Sequence, residues 1–104
     1  MNGEPVDPAK VEVVAAFLSE AFPGRDVHTA YAGDQSSQFY WIGLGASQAH
    51  RIYVSREFLD DHATDEIHRL LAEWPTAAMI RTAGLRRVII ANHGVGIVGG
   101  LTAP

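Results

Sequence analysis

With 104 residues, 47% hydrophobic and 19% charged, the chain has the composition of one small globular domain, far from the polar, charge-rich profile of disordered proteins. It has no cysteine, which excludes disulfide frameworks, thiolate metal sites and thiol nucleophiles. A formal net charge of −4, with Lys10 the single lysine among eight basic residues, argues against a surface built for a phosphate backbone.

The start, Met1 to Asp7, is polar and acidic and lacks the basic opening and apolar run of a secretory signal. No apolar stretch approaches the roughly 20 residues a membrane helix needs. A cytoplasmic protein without membrane association is expected, folded as one domain over residues 1–104.

Asp7-Pro8 opens the first helix: aspartate accepts hydrogen bonds from free first-turn amides, and proline at the first helical position loses no needed donor. Val11, Val14, Ala15, Leu18 and Phe22 recur at helical period, and Pro23-Gly24 ends the run, which predicts a helix over 8–21. Three strands follow at 26–32, 38–44 and 49–54, separated by Gly33-Asp34 and by Gly45-Ala46-Ser47-Gln48. Their short connections predict an antiparallel meander.

Ser55 is placed to cap a short helical turn through Phe58 and Leu59, and Thr64 to cap a longer helix with Ile67, Leu70, Leu71 and Trp74 on its apolar face. Pro75 must interrupt that helix, because its ring collides with the carbonyl four residues back. A further helical piece runs through Ala78, Met79 and Ile80 to Gly84. Strand-like Arg87–Ala91 then meets Val95–Val98 across an Asn92-His93-Gly94 loop, glycine being free to take positive φ. The expected fold class is α+β in the order α-β-β-β-α-(α)-β-β, a mainly antiparallel sheet with helices on one face.

The helix, three strands, helix order resembles the double-stranded RNA-binding domain in element order only. That family's lysine-rich start to its second helix is missing: Thr64-Asp65-Glu66 stands there and would repel phosphate. Arg69, Arg81, Arg86 and Arg87 are the residues from which a basic patch would have to be built.

Other motifs are weaker than they look. Gly94-Val95-Gly96-Ile97-Val98-Gly99 has the spacing of a dinucleotide loop, but the sequence to Pro104 leaves no room for the helix and strand that motif requires. His28, His50, His62, His68 and His93 show no zinc-finger or metalloprotease spacing, which leaves only long-range assembly, such as His50 with Asp60 or Asp61. Glu57, Asp60, Asp61, Asp65 and Glu66 lack the alternating ligands and central glycine of a calcium loop and suit a solvated helix start. Ser36, Ser37, Ser47 and Ser55 lie at turns, with no nucleophile elbow. Neither a metal nor a cofactor is expected.

The second strand is the informative one. Its side chains alternate, so Phe39 and Trp41 point to one face while Tyr40 and Ile42 point to the other, and Tyr31 or Tyr53 would extend the aromatic surface. A chain this short has few elements with which to cover two large apolar faces. The leading expectation is a small non-enzymatic protein-interaction module that self-associates, as a homodimer, through an aromatic sheet face; a protein partner on that face is the variant of the same idea. The alternatives are a small-molecule-binding protein or minor enzyme, with Trp41, Tyr53 and His50 lining a pocket between sheet and helices, and a nucleic-acid-associated accessory protein. The candidate binding residues are Phe39, Tyr40, Trp41, Tyr53 and His50.

Overall fold

A computed structural model of the chain describes residues 6–98; the opening five residues and the tail from Gly99, the last glycine of the G-x-G-x-x-G spacing, lie outside the described residues. Helix α1 (Pro8–Ala21) is capped as expected, with Asp7 Oδ1 accepting from Ala9 N at 3.0 Å and proline in its first turn. Strands β1 (Val27–Ala32), β2 (Ser37–Gly45) and β3 (Gln48–Ser55) form the antiparallel meander. Ser55 Oγ accepts from Phe58 N at 3.0 Å and so caps the short helix α2 (Arg56–Asp61).

Helices α3 (Thr64–Glu73) and α4 (Thr76–Ala83) are split at Trp74-Pro75, as the proline demands. The cap of α3 differs from expectation. Ala63 holds the N-cap position, its carbonyl accepting from Ile67 N at 2.9 Å, which draws Thr64 into the first turn and leaves the end without a side-chain cap. Strand β4 (Arg87–Ala91) pairs antiparallel with β5 (Gly94–Val98). Ala91 sits opposite Gly94, so the loop is the two residues Asn92-His93, one shorter than expected.

The five strands lie in the order β1-β2-β3-β4-β5, antiparallel throughout except for the parallel pair β3 and β4. Parallel neighbours cannot be joined by a tight turn, and the connecting residues 56–86 cross over one face of the sheet as α2, α3 and α4. On that face α1 packs on α3, while α4 spans β3, β4 and β5. The fold is therefore α+β, a mostly antiparallel five-stranded sheet with four helices on one face. No helix among the described residues is long and apolar enough to cross a membrane.

The core lies between these layers. Tyr40, Ile42, Ile52, Val54, Val88 and Ile90 rise from the sheet to meet Val14, Leu18, Phe58, Leu59, Ile67, Leu71 and Ile80 from the helices, all fully buried or nearly so. Burial of such side chains stabilises by roughly 1.5–3 kcal/mol each before conformational entropy is subtracted.

Candidate functional site

Strand alternation splits the expected site residues between two faces. Tyr40 and His50 stand on the helix-covered face and are buried. The Tyr40 hydroxyl donates to the Val11 carbonyl at 2.8 Å, tying β2 to α1. Burial pushes this phenol well above its ordinary value, because a phenolate there would lose its water. His50 Nδ1 lies 2.9 Å from the Gly84 carbonyl, which can only accept, so Nδ1 carries the proton; the ring rests 5.4 Å from Phe22. Both residues anchor helices to the sheet. A pocket lined jointly by Trp41, Tyr53 and His50 does not exist, since the sheet itself separates His50 from the other two.

Phe39, Trp41 and Tyr53 stand on the opposite face, which none of the described helices covers. Register brings them together. Phe39 is directly across from Tyr53, and Trp41 is directly across from His28 on β1. The rings form one continuous row, His28 to Trp41 to Phe39 to Tyr53, with centroids 5.3, 5.2 and 4.7 Å apart and planes 23°, 22° and 27° from parallel. Beyond Tyr53 comes Ile89 on β4, and the Arg87 guanidinium lies 6.0 Å from the Tyr53 centroid. Tyr31 does not extend this row: its partner is the buried Gln38, so it belongs to the helix side, where Arg56 sits 5.8 Å from its centroid.

The spacing of the rings determines what they can offer. Two rings lying side by side in one plane are held roughly 6–7 Å apart by their own radius and van der Waals contact. Near-parallel rings closer than that must overlap face against face, in the offset-stacked arrangement. The row is therefore a set of plates standing on the sheet, each covering part of its neighbour's face and turning its rim outward. Phe39, Trp41, Tyr53 and Ile89 are accordingly half-buried, and His28 is exposed.

The charges on this face are one-sided. Among the described strand residues Arg51 and Arg87 are the only Asp, Glu, Lys or Arg side chains, and they stand directly opposite each other on β3 and β4. Both are exposed, and neither has an ion pair among the described residues. Strands lie about 4.8 Å apart, and like charges held that close destabilise a sheet by a few tenths of a kcal/mol up to about 1 kcal/mol. Sequence reasoning missed Arg51, Arg87, His28 and Ile89 as members of this surface. Arg51 shares the parity of Tyr53 and was readable; the other three needed the strand order.

Several other titratable groups are engaged elsewhere. His62 Nε2 lies 2.9 Å from Asn92 Oδ1, and Asn92 Nδ2 donates to Asp61 Oδ2 at 2.9 Å, which fastens the β4–β5 turn to the helical layer. His62 Nδ1 is 3.0 Å from Glu66 Oε1 but out of hydrogen-bond alignment. Arg69 pairs with Glu73 at 3.2 Å, Arg81 donates to the Ala21 carbonyl at 2.8 Å, and Arg86 donates to the carbonyls of Thr82 and Ala83. The arginines considered for a basic patch are thus dispersed, each on its own local acceptor or, for Arg87, on the open face. No group of three or more metal-ligating side chains converges among the described residues. A shallow depression of about 360 Å³ lies between α1, α3 and α4, lined by Phe17, Glu20, Leu71, Trp74 and residues 75–78. Thr76, at its base, has a buried hydroxyl without a hydrogen-bond partner among the described residues.

No protein-family model matches the chain, and no match to it was found among curated proteins or solved structures.

Proposed function

We propose that this chain is a small non-enzymatic protein-interaction module whose working surface is the open face of its sheet, covered in the functional assembly by a second polypeptide. The observation that carries this reading is the uncovered ring row His28, Trp41, Phe39 and Tyr53. Half-buried aromatics flanked by arginine have the composition of an interface core, where tyrosine, tryptophan, phenylalanine and arginine are enriched. The geometry of the rings favours a polypeptide over a nucleic acid. Single-stranded bases stack on open ring faces, whereas each of these rings is partly covered by a neighbouring ring, which leaves rims that suit contact with apolar side chains.

A second copy of the chain is one such polypeptide.

The test is selection of random dodecapeptides displayed on phage against the immobilised chain, with counter-selection on a Phe39→Ser/Trp41→Ser variant. The expected outcome is a set of peptides that bind the wild-type chain and not the variant, or a dimer seen by sedimentation that the same variant dissociates. A chain that selects no discriminating peptide and sediments as a monomer at every workable concentration contradicts the reading.

A further inference from the structure

We infer that the polypeptide docked on the open face is an acidic segment, whose carboxylates are held by the paired guanidinium groups of Arg51 and Arg87 while its apolar side chains lie along the rims of Trp41, Phe39 and Tyr53. This inference rests on the docking reading above and names its partner.

Charge selects the partner. Two arginines directly opposite across β3 and β4 repel each other, and no carboxylate among the described residues pairs with either. The described strands carry no aspartate or glutamate at all, although the chain as a whole has a net charge of −4. An arginine-only sheet face in an acidic protein repels its own kind: two copies meeting through this face would bring four guanidinium groups toward one interface, with no strand carboxylate between them. A carboxylate, by contrast, accepts two parallel hydrogen bonds from one guanidinium, and that geometry is at its strongest where neighbouring apolar groups exclude water. The ring row supplies those apolar groups, with Arg87 already drawn over the Tyr53 ring.

The experiment extends the selection to charge. Dodecapeptides selected on the wild-type chain are expected to be enriched in aspartate and glutamate interleaved with apolar residues. One of them, synthesised, should bind the Arg51→Gln/Arg87→Gln variant roughly tenfold or more weakly, the worth of a hydrogen bond to a charged group. Selection on an Arg51→Glu/Arg87→Glu variant should turn the enrichment from acidic to basic, an outcome that a merely unfolded variant cannot give. Discriminating peptides without acidic enrichment, or a dimer that Phe39→Ser/Trp41→Ser dissociates and Arg51→Gln/Arg87→Gln leaves intact, would overturn the acidic partner and leave the docking surface standing. Binding of an oligothymidylate probe in preference to the acidic peptide would overturn it as well. Absence of any discriminating peptide together with a monomeric chain would remove both.

Discussion

The two faces of one sheet are made from interleaved residues of the same strands and have opposite fates. On β2, Tyr40 and Ile42 are sealed under helices, while Phe39 and Trp41, one residue away in each case, end on a surface that no described helix reaches. On β3, Ile52 and Val54 are core while Arg51 and Tyr53 are not. Aromatic content does not mark the covered face, since the open one carries the larger aromatic share. What distinguishes them is which face the 56–86 crossover and α1 happen to cover. An apolar residue on the first face stabilises the monomer; one on the second is available for an encounter.

The contrast can be sharpened by substitution. The largest effect is expected on the covered face: Ile52→Ala should cost about 2–5 kcal/mol in a urea melt, through lost burial and the cavity left behind. Next comes Tyr40→Phe, at about 1 kcal/mol for the hydrogen bond to Val11. That variant also changes the pH response. The folded Tyr40 hydroxyl keeps its proton to higher pH than an unfolded tyrosine, so from about pH 10 upward the unfolded chain releases a proton that the folded chain retains. Wild-type stability should therefore fall above that pH by up to about 1.4 kcal/mol per unit from this group, a decline that Tyr40→Phe abolishes.

On the open face, Phe39→Ala should cost the dilute monomer about 1 kcal/mol, the lower end for the two ring stackings it removes, because it leaves no cavity in a closed core. A loss as large as that of Ile52→Ala would break the comparison, since it would mean the face is already covered. The smallest effect is expected for Arg51→Gln: no loss of stability, or a gain of a few tenths of a kcal/mol as repulsion from Arg87 is relieved, read as a shift in the urea midpoint at low salt.

Much of the fold was legible because local signals agreed. Asp7-Pro8, Ser55 and Pro75 mark boundaries through mechanisms confined to a few residues, and the structure places them where those mechanisms require. The Thr64 cap was misplaced by one residue, since Ala63 and Thr64 differ only in which carbonyl begins the hydrogen-bond ladder, and a good capping residue does not decide that. The division of β2 into two faces follows from alternation alone. The makeup of the open face was only half legible. His28 joins it through register with Trp41, and Arg87 and Ile89 join it because β4 lies parallel beside β3. That is a long-range choice made by the whole crossover, and no short stretch of sequence encodes it. Tyr31 shows the limit from the other side: an aromatic on the neighbouring strand, it is turned away from the row by one residue of parity.

The most direct test is the accessibility of Trp41 in dilute solution, measured by acrylamide quenching in a Trp74→Phe background so that a single tryptophan reports. The account predicts ready quenching of the monomer, falling sharply when a selected peptide is added to saturation. A Trp41 that is protected in the monomer before anything is added would contradict it.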